Sequence, residues 1–184
     1  MAKRTEWTTK MGEIYYNAGG AKLVRQSAES RIIAVIGTFD LLHRGHIDLL
    51  QKAKALDGSL VVIMPTDESI KEPHRPFNMD RFNIVKQLRQ VDWVIGMDAT
   101  SPYKVLEELR PEIVVTMQES VSEINEPIMD IINKYGQLVI IPKTYNISTT
   151  DIAIKIVDYA QVLLKEKESE ECNALIKEYD DDTK

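Results

Sequence analysis

Apolar residues in this chain come in short consecutive runs: Ile32–Ile36, Leu60–Met64, Trp93–Met97, Ile113–Met117 and Leu138–Ile141. A run apolar at every position has no face fit for water, so each predicts a strand covered on both sides. Between the runs the rhythm changes. Ile47, Leu50 and Ala53, leading into Lys54–Leu56, start one segment of three- and four-residue steps. Phe82, Val85, Leu88 and Arg89 make a second, Val105, Leu106 and Leu109 a third, and Ile124, Ile128, Ile131, Ile132 and Tyr135 a fourth. Such steps put apolar side chains on one face of a helix. Strand–helix alternation predicts an α/β fold: an open parallel sheet of about five strands, helices on both faces, right-handed crossovers throughout.

The two ends read differently. Residues 1–30 have no strong period; a turn is expected at Ala18-Gly19-Gly20 and a short helix around Ala21–Glu29, in an appended arm. The regular domain is expected over 31–165. Its last helix, from about Thr149 to Lys165, carries Ile152, Ile156, Tyr159, Ala160 and Leu163 on one side. Residues 165–184 hold eight acids and four lysines, so 166–184 reads as an acidic tail, a solvated helix extension or disorder.

Composition adds exclusions. The 184 residues suit one domain with a real core. The net charge of −6 offers no general attraction to nucleic acid or to anionic membrane. A phosphate site would have to be a local device. The single Cys172 excludes an intrachain disulfide and fits a reducing compartment. No run reaches the roughly 18 consecutive apolar residues of a membrane span, and the basic start "MAKRTEWTTKMGEIYY" lacks the apolar core of a signal peptide. A cytoplasmic location is the expectation.

The chemistry gathers directly after the first run, in "GTFDLLHRGH", residues 37–46. Open parallel sheets bind ligands beyond the carboxyl ends of strands, where strand order reverses. Gly37 lets the backbone approach a bound group, and Thr38 adds a hydroxyl and an N–H. Gly45 leaves the N–H groups at the start of a helix reachable by an anion. His43 and His46, three apart on a first helical turn, can project to one point and donate to phosphate oxygens. On its own such a histidine pair is more often a pair of satisfied or exposed structural histidines, and zinc lacks a third ligand at familiar spacing. Asp40 reads as a helix-start residue rather than a metal ligand. Neither the dinucleotide fingerprint nor the Walker loop is present.

The whole string resembles the G-x-F-D-x-x-H-x-G-H signature of the cytidylyltransferase-like nucleotidyltransferases, which are Rossmann-like α/β proteins. Over roughly residues 31–160 the chain is similar to glycerol-3-phosphate cytidylyltransferase and to the heptose-phosphate adenylyltransferase domain. "PTDESIK" resembles the segment after the family's second strand, and "DRFNIVKQLRQVDWVI" its third helix and strand. "SPYKVLEELRPEIVV" looks like the adenylyltransferase domain, while "PKTYNISTTDI" resembles the cytidylyltransferases' closing R-T-E-G-I-S-T-S/T motif.

The resemblance implies transfer of a nucleoside monophosphate, CMP from CTP or in the alternative AMP from ATP, to a phosphorylated sugar or polyol with release of pyrophosphate. It implies His43 and His46 as stabilisers of the α-phosphate and the leaving group, with Lys71 bridging donor and acceptor phosphates (or else a solvated loop lysine). Gly37, Thr38, Phe39 and Gly45 would shape the nucleotide pocket, and Asp40 would hold the loop or a nearby basic group. Arg81 and Arg89, eight apart and so near two helical turns, align with arginines facing the site; Asp92 reads as structural. Ser148 or Thr149 can cap a helix, with Asp151 placed to reach back, and in the family Ile147, Ser148 and Thr149 close over the outer phosphates. Mg²⁺ is implied, held through the nucleotide with no protein metal site, as are a homodimer and the absence of nucleic acid and membrane partners.

Two departures stand out. The closing motif begins with Lys143 instead of arginine, followed by Tyr145 and Asn146 in place of Glu and Gly; lysine keeps the charge but loses the bidentate fork. After the fourth run the family's glycine-and-aspartate motif is replaced by Thr116-Met117-Gln118-Glu119-Ser120, leaving Gln118 as the amide near the nucleotide. The altered segment also keeps open a nucleotide-binding module without turnover. A tRNA-synthetase reading of H-x-G-H fails for want of room and basic charge.

Overall fold

The computed structural model describes residues 13–70, 80–98 and 102–182. In chain order they form β1 (Glu13–Tyr16), α1 (Asn17–Ser27), β2 (Ile32–Ile36), α2 (Arg44–Lys54), β3 (Ser59–Pro65), α3 (Asp80–Lys86), β4 (Trp93–Met97), α4 (Pro102–Leu109), β5 (Ile113–Met117), α5 (Glu126–Tyr135), β6 (Gln137–Ile141) and α6 (Thr149–Asp182). Short 3-10 turns follow β3 at Asp67–Ser69 and β5 at Gln118–Glu123. The five apolar runs are β2 to β6. All six strands are parallel, in the order β1-β4-β3-β2-β5-β6.

Alternate strand residues feed two separate cores. Ile33 and Val35 of β2 pack with Leu50 of α2 and Phe82 of α3 on one face. Ile32 and Ala34 pack with α1, α4 and α5 on the other. Crossovers stepping from β2 toward β4 therefore carry their helices on one face, and those stepping the opposite way (α1, α4, α5) carry theirs on the other. A single crossover hand requires this arrangement. The chain turns in opposite directions after β2 and after β5, which are neighbours, so the crevice between their carboxyl ends is where such a fold binds ligands.

The expected arm is corrected over residues 13–27, which are built into the domain. β1 pairs with β4 as a sixth strand, and Ala21 and Val24 of α1 are fully buried. The turn expected at Ala18–Gly20 is helical. Two glycines cost a helix roughly 1 kcal/mol each against alanine, but Gly20 lies so close to β1 that a Cβ there would stand 2.7 Å from Cβ of Tyr15. Close packing overrides propensity. Arg25 pairs with Glu112 at 2.7 Å, and Glu112 accepts the Ile32 N–H at 2.6 Å, tying α1 to the start of β2. Asp92 is structural as expected, receiving the Lys54 ammonium and the Leu60 N–H at 2.5 and 2.7 Å.

The chain divides into two compact units, residues 1–146 and 147–184. α6 belongs to the second and runs on to Asp182, so the acidic stretch 166–182 is helical. Among the described residues no helix is long and apolar enough to cross a membrane.

Candidate active site

β2 hands over to α2 through a loop with little freedom. The Gly37 N–H donates to the Ile63 carbonyl at 3.1 Å, extending the β2–β3 ladder by one rung. Phe39 adopts φ 52°, a left-handed conformation costly for an aromatic residue. Its ring folds back over Gly37, where a Cβ would lie 2.8 Å from it, and is buried at 3% exposure. Only a residue without a side chain fits at 37 beneath that ring.

The same ring meets His46 in a tilted contact, 4.9 Å between centroids. His46 stands on the first turn of α2, and His43 is the cap before that turn. His43 Nδ1 accepts the Gly45 N–H at 3.1 Å, which leaves the ring proton on Nε2. The two imidazoles stack at 3.9 Å and 21°, so the projection expected from their three-residue spacing is present. Burial, and then the neighbouring His43, pulls the His46 pKa down from 6.5 to about 4, with the Leu41 carbonyl opposing. His46 is therefore neutral at physiological pH. Its Nδ1 and Oδ1 of Asp40 are buried without a hydrogen-bond partner among the described residues. Buried polar atoms of this kind call for a ligand or water.

Beside the loop is a cavity of about 210 Å³ on the α4–α5 face of the sheet, at the crevice between β2 and β5. Gly37 and Thr38 wall it from β2, Pro65 and Met97 close it from the last positions of β3 and β4, and Thr116 and Ser120 bring hydroxyls from the β5 side. Among the described residues no three His, Cys, Asp or Glu side chains converge to hold a metal ion.

A cytidylyltransferase-like family profile matches residues 34–155, well over half of the chain. The chain belongs to the cytidylyltransferase-like family. Among curated proteins it is 39% identical to the bifunctional protein HldE of Helicobacter pylori over 99 residues, which cover 51% of this chain and 22% of that one. It is 33% identical to the HldE of Azotobacter vinelandii over 133 residues, 68% of this chain and 28% of the relative. The chain thus spans about a quarter of the length of these relatives. In fold it is similar to a lipopolysaccharide core biosynthesis protein from Thermoplasma volcanium (TM-score 0.55, 24% identity, 63% of this chain and 99% of that one). It is likewise similar to a pantoate-beta-alanine ligase from Francisella tularensis (TM-score 0.56, 16% identity, 78% and 76%).

Several residues expected at the nucleotide lie elsewhere in this cytidylyltransferase-like chain. Arg81 is turned into the protein, 3% exposed. Its guanidinium donates to the Thr38 carbonyl at 2.6 Å, to Asp67 Oδ1 at 2.8 and 3.2 Å, and to the Pro65 carbonyl. It is a strut beneath the loop, not an open anion donor. Arg89 is exposed in the turn leading to β4. The two-turn spacing argument fails because α3 ends at Lys86, and the start of β4 lies at the end of the sheet opposite the crevice. Lys71 falls outside the described residues. Gln118 is exposed at the head of the 3-10 turn after β5.

The loop after β6 holds contacts that spacing did not announce. Lys143 Nζ sits 2.6 Å from Glu119 Oε1. The Thr144 hydroxyl accepts from Lys52 at 2.5 Å. Tyr145 lies under Arg44, whose guanidinium is 4.2 Å from the ring centroid and 3.0 Å from the hydroxyl. Arg44 and Tyr145 are 101 positions apart, beyond any local signal. The cavity's Pro65, Met97, Thr116 and Ser120 were also missed as site residues; the rule that ligands sit beyond strand carboxyl ends could have nominated the first two. In the second unit Ser148 caps α6: its hydroxyl accepts the Asp151 N–H at 3.1 Å, and Asp151 takes the Ser148 N–H at 2.8 Å. Thr149 is the first residue of α6, preceded by Ile147 and Ser148.

Proposed function

We propose that this chain transfers the AMP moiety of ATP to a phosphorylated sugar or polyol, releasing pyrophosphate. The observation that carries the reading is the stacked His43–His46 pair at the start of α2, on the loop whose Gly37 and Thr38 wall a cavity at the crevice of the sheet. An acceptor phosphate oxygen attacks the α-phosphorus; that P–O bond forms as the bond to the β-phosphate's bridging oxygen breaks, and pyrophosphate leaves with the electron pair. No protein nucleophile is needed, so catalysis amounts to positioning and neutralisation of growing charge.

Each imidazole has a part in this. His43 offers Nε2–H, and neutral His46 offers one N–H, to the α-phosphate and the leaving oxygens. Thr38 supplies a further donor, the positive end of the α2 dipole favours the phosphates, and Lys143 and Lys71 supply charge, with Gln118 beside the nucleotide. The 210 Å³ cavity takes the acceptor. With no protein ligand set among the described residues, Mg²⁺ would be carried by the phosphates, where it supplies charge neutralisation. We also propose that the chain is a homodimer; sedimentation showing monomer alone would remove that part.

Adenine is favoured over cytosine by the likeness of "SPYKVLEELRPEIVV" to the adenylyltransferase domain, and the matches to HldE weigh on the same side. A second reading, CMP transfer from CTP, is favoured by "GTFD" and "ISTT". A thermal-shift screen of nucleoside triphosphates with Mg²⁺ separates the two, because a ligand that binds only the folded state raises its stability. ATP is expected to give the largest rise, and pyrophosphate release with phosphorylated sugars then identifies the acceptor. A larger rise with CTP would transfer the reading to cytidine. Nucleotide binding without release from any pair would favour a binding module.

A further inference from the structure

The two departures from the family's pattern meet each other in space. Lys143 opens the altered closing motif, and Glu119 belongs to the altered segment after β5. Their strands are neighbours, with Met117 paired to Ile141 in the β5–β6 register. Glu119 stands two residues past the first and Lys143 two residues past the second, so the sheet itself sets the two bases side by side. The resulting ion pair is 2.6 Å long, with the carboxylate side chain 51% and the ammonium side chain 29% exposed. Thr144 and Tyr145, docked on α2, keep the loop from carrying Lys143 away.

We propose that Glu119 is a positioning residue for Lys143: it holds the ammonium in reserve until a triphosphate displaces the carboxylate. This rests on the reading of Lys143 as a phosphate-binding residue. A guanidinium has donors enough to serve a carboxylate and a phosphate together, whereas an ammonium is a single compact charge. Replacing arginine by lysine therefore turns sharing into exchange. The exchange is easy, because a half-exposed pair is held weakly and a polyphosphate brings several charges against one.

The test uses wild type, Glu119→Gln, Lys143→Met and the double variant of the full chain, titrated with ATP and with inorganic tripolyphosphate, which carries the charge without a base. Glu119→Gln is expected to bind both probes about two- to fivefold tighter than wild type, in line with the strength of an exposed pair. In the Lys143→Met background that gain is expected to vanish. An equal gain in both backgrounds overturns the proposal, since Glu119 would then only repel the anion; so does no gain, or a loss, in the Lys143 background. The pair is also checked without any nucleotide. Acetylation of the Lys143 amine, followed by mass spectrometry, is expected to run faster in Glu119→Gln, and equal rates would sink the pair. Failure of wild type to bind either probe while this labelling difference persists would instead remove the functional reading beneath the proposal, and the proposal with it.

Discussion

The loops leaving β2 and β6 bring the proposed chemistry together, yet they are made of opposite materials. After β2 the chain is fixed from inside: Phe39 and Arg81 are each 3% exposed, and the carbonyls of Thr38 and Pro65 are taken by one guanidinium. After β6 it is fixed from outside, by the Lys143–Glu119, Thr144–Lys52 and Tyr145–Arg44 contacts between side chains at the surface. Surface pairs of this kind contribute about 0–1 kcal/mol each. The first loop can therefore hold donors in place before the substrate arrives, as transition-state stabilisation requires. The second can open at low cost to admit a nucleotide.

If that contrast is right, the largest effect comes from removing the inner strut. Arg81→Leu leaves Asp67 without its partner and two main-chain carbonyls without donors. Breaking a buried pair on one side costs about 3–5 kcal/mol, to be read from urea melts. Arg81→Lys should recover little, because one ammonium cannot reach acceptors on both strands and Asp67 in the fork's geometry. A loss under 1 kcal/mol for Arg81→Leu would show that the β2 loop is no more firmly built than the β6 loop.

The next effect tests what the strut is for. His46→Ala should lower kcat by about a hundredfold or more, the range for a lost transition-state donor, once the nucleotide screen has identified the substrate pair. Unchanged turnover would remove His46 from the chemistry and leave the rigid loop without a catalytic purpose.

Burial of His46 also leaves a signature in acid. Its folded pKa of about 4 lies below the ordinary 6.5. Between those values the unfolded chain binds a proton that the native state refuses, so stability falls as pH drops through this window and is flat in this respect above it. The loss by pH 4 should be about 2–3 kcal/mol, at roughly 1.4 kcal/mol per pH unit less a discount for partial solvent access. The Asp40 carboxylate lies in the same loop and His43 faces His46 directly. The readout is thus the wild-type slope minus that of His46→Gln, from urea melts at pH 7.5, 5.5 and 4.5. Parallel slopes would mean that His46 is as accessible as a surface residue.

The same contrast explains how much could be read beforehand. β2 to β6 announced themselves because strands covered on both faces must be apolar throughout, and the histidine pair because its spacing is local. β1 did not: four residues, Glu13-Ile14-Tyr15-Tyr16, with a ladder on one side only among the described residues, need little apolar content, and their partner β4 lies far along the chain. Arg81 was expected to face the nucleotide because its sequence neighbourhood aligns with arginines that do; α3 packs on β4 and β1, and from there the guanidinium reaches back to the Thr38 and Pro65 carbonyls. Arg89 was misplaced by assuming a helix longer than its seven residues, Asp80–Lys86. The β6 loop was legible only as a departure from family pattern. Its contacts to Glu119, Lys52 and Arg44 depend on tertiary placement.

The smallest effect belongs to that outer clamp. Tyr145→Ala removes a hydroxyl that Arg44 bonds at 3.0 Å and a ring 4.2 Å from its guanidinium. At an exposed site the cation–aromatic part is worth about 0.5–1 kcal/mol, so the urea midpoint should barely move. What should change is local. Amide exchange over 143–146 is expected to quicken while exchange at Ile36 and Gly37 stays put, because the β2 loop owes its order to Arg81 and Phe39. The Lys52–Asp48 pair will remain, since the Lys52 ammonium, and after it the Thr144 hydroxyl, hold the Asp48 carboxyl below its usual range. If exchange instead quickens equally in both loops, the outer clamp reaches through Arg44 into the histidine turn. The two loops would then be one cooperative unit and not a rigid half facing a movable one.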